Sequence, residues 1–151
     1  MPSPQIEIDD HGLFKRMQAF PAETAKVFPA GMDASLVILW ENVPPYPPPP
    51  AGSTYKRTGT LGKSLGSSMG GGKTGGQPSI YSTKKIGAGY VGRFGSDLSY
   101  APPVIGEGTQ RANMSHWWTV TTIADKARDK IIKLWDKIGD KLAKFLDGKG
   151  V

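Results

Sequence analysis

The strongest hydrophobic pattern lies near the C-terminus. Between His116 and Leu146, apolar residues recur every three or four positions, as they do along one face of a long α-helix. The pattern predicts a helix over 116–147, with Ser115 as its candidate N-cap. Trp135 lies beside the main stripe and widens it, so we expect this helix to contact a core and also a neighbouring subunit. The stripe consists of Trp117, Val120, Ala124, Ala127, Ile131, Leu134, Ile138, Leu142 and Phe145.

Shorter patterns in the rest of the chain predict strands. Ser79–Ile86 and Tyr90–Phe94 are separated by the glycine-containing turn 87–89, which is typical of a β-hairpin. The alternation over Ile6–Ile8 predicts a short strand near the N-terminus. Residues 109–114 are predicted to form a last edge strand.

The N-terminal third is predicted to be mainly helical. Over 11–27 the apolar residues fall at helical spacing on both sides of Pro21, which the first turn of a new helix tolerates. Pro29 and Gly31 predict a break. The apolar run 34–43 then predicts a buried helix, with a strand as the alternative because short apolar runs are ambiguous.

Two stretches of unusual composition divide the chain. Pro44–Pro50 holds six prolines around Tyr46, so it is predicted to be extended. We interpret it as a stiff spacer; the alternative is a ligand for a proline-binding domain. The glycine-rich segment Gly66–Gly76 is predicted to be a flexible loop, and 58–65 to contain a helical turn with Leu61 and Leu65 on one side.

A chain of 151 residues is long enough for one domain with its own core. The patterns together predict an α+β fold in which a small, mostly antiparallel sheet is flanked by N-terminal helices and a long C-terminal amphipathic helix. The predicted single domain, 1–151, comprises a helical part at 1–43, a proline-rich linker at 44–54, sheet and loops at 55–115 with the flexible glycine loop 66–76, and a helix at 116–147.

The charge is distributed unevenly. The chain carries a net charge of +6, and residues 51–111 alone contain eight bases and two acids. Such a segment attracts nucleic acid or an acidic protein. A solvated surface that aids solubility is an equally good interpretation.

The residues offer little catalytic chemistry. Gly70–Thr74 resembles part of a phosphate-binding loop, but Ser67 replaces the required glycine and no apolar strand or helix adjoins it. The chain has no cysteine, and its histidines, His11 and His116, lie far apart. We therefore predict no enzyme activity, catalytic residues, metal or cofactor; a hydrolase would need distant residues brought together in a pocket. We also expect neither a secretory signal nor a membrane span.

Two segments resemble signatures of small tail-component proteins from long-tailed bacteriophages. Tyr55–Leu65 is similar to the family's arginine-threonine-glycine-x-leucine-x-x-serine signature. Gly92–Val104 resembles its valine-glycine-(threonine/serine)-x-x-x-tyrosine-alanine-x-x-valine segment. Gly106–Gln110 and His116–Trp118 also fit prophage relatives, in the right order and spacing. The proline-rich and glycine-rich segments depart from the family pattern.

The resemblance implies a structural protein of the head–tail junction, of the tail-completion, tail-terminator or neck type. It implies an α+β fold and a homo-oligomeric ring, expected to be hexameric, that contacts a head-closure or connector protein, the tail tube protein and the genomic DNA, without a membrane. The expected location is the virion neck or tail, and the host cytoplasm during assembly. A nonspecific nucleic-acid-binding protein using the basic 55–111 segment is the alternative. The candidate interface residues are Tyr55, Arg57, Thr58, Leu61, Lys84, Lys85, Arg93, Tyr100 and Trp135.

Overall fold

The computed structural model describes residues 2–9, 21–49, 51–54, 58–87, 89–107 and 117–146. Several predictions therefore lie outside the described residues: the helix in 11–20, the edge strand in 109–114, the Ser115 cap, and the interface residues Tyr55 and Arg57.

The described elements form an α+β fold, which confirms the predicted fold class. In chain order they are β1 (Gln5–Asp9), α1 (Pro21–Glu41), α2 (Thr60–Ser64), β2 (Ile80–Ile86), β3 (Gly89–Gly95), α3 (Pro102–Ile105) and α4 (Val120–Leu146).

Within the described part of the chain, the sheet has three antiparallel strands in the order β1-β3-β2. The hairpin and the N-terminal strand predicted from alternation are both present. One face of the sheet packs on α1. On this face the Thr83 hydroxyl of β2 donates a 2.6 Å hydrogen bond to the Asp33 carboxylate of α1. Gly92 on β3 lies on the same face. A Cβ atom there would be 3.0 Å from the sulfur of Met32, so the absence of a side chain lets the helix approach the strand closely.

Helix α1 runs without a break from Pro21 to Glu41, so the break predicted at Pro29 and Gly31 is wrong. Proline in a helix interior removes a backbone hydrogen bond and disfavours the helix by about 3 kcal/mol. Burial outweighs this cost. Four large side chains at helical spacing on α1, each at most 1% exposed, face the interior: Phe28, Met32, Leu36 and Leu39.

Helix α4 packs across α1 and reaches β1. The two helices come close at Gly31, where an added Cβ would lie 2.7 Å from Cδ1 of Ile138 and 3.0 Å from the Trp135 ring. The helix begins at Val120, four residues later than predicted. Thr119 precedes it, and the Thr119 N–H donates to the Thr122 hydroxyl at 3.2 Å, which is half of a capping box.

The main core lies between the sheet, α1, α2 and the first half of α4. The predicted helical turn places Leu61 and Leu65 in it, 5% and 0% exposed. A second, smaller cluster around Phe28 and Leu142 joins α1 to the far half of α4. The core therefore extends along most of α4, as the predicted apolar stripe requires.

Candidate assembly surface

The start of the proline-rich segment is bonded to the rest of the chain. The Tyr46 N–H donates to the Met69 carbonyl at 2.9 Å, and the Trp118 indole N–H donates to the Pro45 carbonyl at 3.0 Å. Val43 and Pro44 are buried. The linker predicted at 44–54 is therefore packed against the rest of the chain at its first residues.

The glycine-rich segment closes on itself and on the proline-rich segment. The Gly75 N–H donates to the Gly66 carbonyl at 2.9 Å, and the Gly72 N–H donates to the Val43 carbonyl at 2.8 Å. Gly66, Gly71 and Gly72 have positive φ angles of 69°, 83° and 71°, which side-chain-bearing residues rarely adopt. The predicted flexible loop is thus built from backbone hydrogen bonds that its glycines make possible.

Trp40 on α1 organises the inner side of this loop. Its indole N–H donates to the Gly66 carbonyl, and its ring packs edge-on against Tyr81 at 5.5 Å. The ammonium of Lys73 lies 4.7 Å from the centre of the Trp40 ring, at cation–π distance. The element before Gly70–Thr74 is the short helix α2, and the element after it is the strand β2. A phosphate-binding loop has the opposite order, with a strand before the loop and a helix after it.

Three half-buried aromatic residues surround the start of the proline-rich segment. The Trp117 ring lies edge-on to Tyr46, with centroids 5.1 Å apart, and to Trp118 at 6.1 Å. Rings of this kind combine apolar area with polar handles and are common at protein interfaces. This aromatic group joins α4 to the segment that precedes α2.

The two edges of the sheet are the other accessible feature. Among the described residues, β1 and β2 each pair with β3 alone. Lys84, Lys85 and Ile86 at the end of β2 are exposed, and so are Glu7 and Asp9 on β1. Edge strands with unpaired backbone groups are natural sites of pairing with another chain.

The predicted interface residues do not form one patch. Thr58, Lys84, Lys85 and Tyr100 are exposed, the last by 45%. Arg93 is half-buried and forms a 2.9 Å ion pair with Glu7 across neighbouring strands. Its guanidinium therefore has a partner within the chain.

Two of the predicted interface residues are used inside the fold. Leu61 belongs to the main core. Trp135 packs on Phe28, with ring centroids 5.5 Å apart, and its indole N–H donates to Ser35 at 3.0 Å. Trp135 widens the apolar stripe of α4, and in the structure this residue contacts α1.

The candidate interface residues predicted from the sequence do not include the two acidic residues of β1, Glu7 and Asp9. Glu7 and Asp9 alternate with Ile6 and Ile8, so the strand pattern itself places both carboxylates on the face opposite the isoleucines. The sequence signal was therefore available. The sequence did not indicate which strand lies beside β1; in the structure it is β3.

Two ionisable groups have shifted pKa values. Burial, and to a lesser degree the nearby Asp33 carboxylate, raise the pKa of the Tyr81 phenol. Hydrogen bonds from the side chains of Thr121 and Thr119 lower the pKa of Glu107, whose Oε1 also accepts the Thr121 N–H at 3.3 Å. Glu107 thus holds the N-terminus of α4, where a negative charge is favourable. Both pKa shifts thus arise from packing and hydrogen bonds within the fold, at Tyr81 and at Glu107.

The described residues contain no group of three or more histidine, aspartate or glutamate side chains suited to bind a metal ion. In the same part of the chain, no helix has the length and apolar character needed to cross a membrane.

Comparison of the chain with protein-family models, with curated proteins and with solved structures finds no match.

Proposed function

We propose that this chain is a structural protein of the bacteriophage head–tail junction, of the tail-completion, terminator or neck type, and that it acts as one subunit of a ring. The observation that carries the proposal is the ordered pair of signature-like segments at 55–65 and 92–104 in a chain with the implied α+β scaffold. That scaffold combines a small sheet with an N-terminal and a C-terminal helix.

The surface is suited to such a role. A ring subunit needs two different, complementary surfaces that repeat by rotation, more than it needs a pocket. The chain offers two sheet edges of different composition and an aromatic group at the proline-rich segment. Pro48 and Pro49, farther along the same segment, are exposed and accessible to a neighbour.

The test is the composition and morphology of particles made from the genome that encodes the chain. We expect mass spectrometry to find the protein in purified virions and electron microscopy to place it as a ring between head and tail. Deletion of its gene should leave filled heads and separate tails, and expression in trans should restore joined particles. Its absence from purified virions contradicts the proposal.

The alternative is nonspecific nucleic-acid binding through the basic segment 55–111, and the observation in its favour is that Lys63, Lys84 and Lys85 of this segment are exposed. Contacts between exposed basic side chains and the phosphates of DNA give an affinity that falls steeply as the salt concentration rises. The alternative predicts strongly salt-dependent binding of DNA by the isolated protein, weakened by Lys84→Gln with Lys85→Gln; binding that salt does not change argues against it.

A further inference from the structure

The outer strands of the sheet carry opposite charge. The charged residues of β1 are Glu7 and Asp9, whereas those of β2 are Lys84 and Lys85, and all four are exposed. Because β3 lies between these strands, the acidic and the basic strand form opposite edges of the sheet that the described residues build.

The register aligns the charges across the sheet. Asp9 is opposite Val91 on β3, and Val91 is opposite Lys84 on β2, so one row of the sheet begins with an acid and ends with a base. Both outer strands are antiparallel to β3 and therefore run parallel to each other. A second copy displaced sideways by one sheet width would bring its Asp9 next to Lys84 of the first, about 4.8 Å away between strand axes.

We propose that copies of this chain join edge to edge, with the basic strand β2 of one copy pairing along the acidic strand β1 of the next. The charges select this arrangement over its symmetric alternatives. Pairing β2 with β2 would set Lys84 and Lys85 against their own copies, and pairing β1 with β1 would set acids against acids; both are unfavourable. A β2-to-β1 contact is head-to-tail, and such contacts close into rings when they repeat by rotation.

The inference deepens the proposed function, on which its biological meaning rests, because it identifies the contact between ring subunits. It also places the exposed Lys84 beside the Asp9 carboxylate of another copy. Glu7 already pairs with Arg93 within the chain. The tests below therefore leave Glu7 unchanged.

Disulfide trapping tests the contact in the full chain, which contains no cysteine of its own. A protein carrying both Asp9→Cys and Lys84→Cys cannot close the bond internally, since β3 separates the two positions by about 9–10 Å and a disulfide spans less than about 7 Å between Cα atoms. Oxidation should give a ladder of dimers, trimers and larger species. The matched control combines Asp9→Cys with Lys137→Cys, an exposed position on α4, and should cross-link at least about tenfold more slowly.

Charge reversal gives a second readout in the same protein. Lys84→Glu and Asp9→Lys should each weaken self-association in sedimentation, and mixing the two variants should restore it because each then offers the charge that the other lacks. The chain carrying both changes should associate like the original. Lys137→Glu makes the same change in net charge as Lys84→Glu, but away from the sheet, and should have no effect, while circular dichroism verifies that each variant is folded.

Three results overturn the inference: a ladder no faster than that of the control, equally fast cross-linking by Lys84→Cys alone, or loss of DNA binding without loss of self-association in Lys84→Glu. These outcomes are distinct from failure of the proposed function. A chain that is present in joined particles but gives no ladder contradicts the edge contact alone. A ladder from a chain that is absent from particles supports the contact and contradicts the proposed function.

Discussion

Trp135 and Ser35 join the two long helices of this fold through a hydrogen bond of 3.0 Å. The indole N–H of Trp135 on α4 donates to the Ser35 hydroxyl on α1, and that hydroxyl donates in turn to the Gly31 carbonyl at 2.8 Å. Ser35 is fully buried, so its hydroxyl depends on these protein partners. The bond sets the position at which α4 crosses α1, where Gly31 lets the helices come close.

Replacing Ser35 with alanine should destabilise the protein. The change removes the acceptor of the Trp135 indole N–H, and a polar group that loses its partner at a packed site costs about 1–3 kcal/mol. Denaturant unfolding followed by tryptophan fluorescence measures the loss. A double-mutant cycle with Trp135→Phe isolates the bond, and two effects that simply add would show that Ser35 and Trp135 are not coupled.

Gly31→Ala should be destabilising although alanine favours helices. Its Cβ would lie 2.7 Å from Cδ1 of Ile138 and 3.0 Å from the Trp135 ring, so these packed side chains must shift or the helices must move apart. The matched control is Gly139→Ala on α4, which has no atom within 4 Å of the added Cβ and should gain up to about 1 kcal/mol. We expect Gly31→Ala to be less stable than the control by about 1–3 kcal/mol in chemical denaturation. Equal stabilities would contradict the close helix approach.

Gly66→Ala should disrupt the glycine-rich loop. The residue has a φ of 69°, and an added Cβ would fall on the Trp40 indole nitrogen and the Gly76 carbonyl oxygen. Gly52→Ala is the control, because Gly52 has a φ of 79° and no atom within 4 Å of its added Cβ. The control should lose only the strain of the left-handed backbone, about 1–2 kcal/mol. Gly66→Ala should lose clearly more in thermal unfolding and alter the Trp40 emission; a loss no larger than that of Gly52→Ala would indicate a loop that yields freely.

Glu107→Gln should lower stability at neutral pH and leave it unchanged in acid. Hydrogen bonds from Thr121 and Thr119 lower the Glu107 pKa below its ordinary value of 4.5. A carboxyl group whose pKa is lower in the folded state stabilises the protein above its unfolded pKa, and that stability is lost as the pH falls through the folded pKa. Because the carboxylate is exposed, we expect a loss of up to about 1 kcal/mol at pH 7. Unfolding curves at pH 7, pH 3 and pH 2 measure the difference, which should shrink as the pH falls through the folded pKa. A difference that stays constant down to pH 2 would contradict the role of the charge.

Much of the local structure was predictable from the sequence. The strands β2 and β3 and the helix α4 follow from alternation, turn glycines and a stripe at helical spacing, all of which act between near neighbours. The break at Pro29 was predicted wrongly because propensity is local, whereas the burial of Phe28 and Met32 that holds α1 together depends on the sheet and on α4. The closure of the loop 66–76 depends in the same way on Trp40 and Val43, more than twenty residues earlier.

The candidate site was only partly accessible by the same reasoning. Basic residues at Lys84 and Lys85 and acidic residues at Glu7 and Asp9 are visible in the chain, but the sequence does not say which strands are neighbours. Leu61 and Trp135 are residue types that also occur in protein interfaces, but in this fold they pack against the two hydrophobic clusters of the core. Exposure of an apolar side chain depends on which other segments cover it.

By itself the sequence determined most of the local elements, the unequal distribution of charge and the glycine-containing hairpin turn at 87–89. Each of these depends on residues a few positions apart. The tertiary structure alone decided that β1 pairs with β3, that the acidic and basic strands therefore lie at opposite edges of the sheet formed by the described residues, and that Trp135 donates a hydrogen bond to Ser35. These choices depend on packing and hydrogen bonds between segments as many as 100 residues apart, whose combined free energy no local pattern contains.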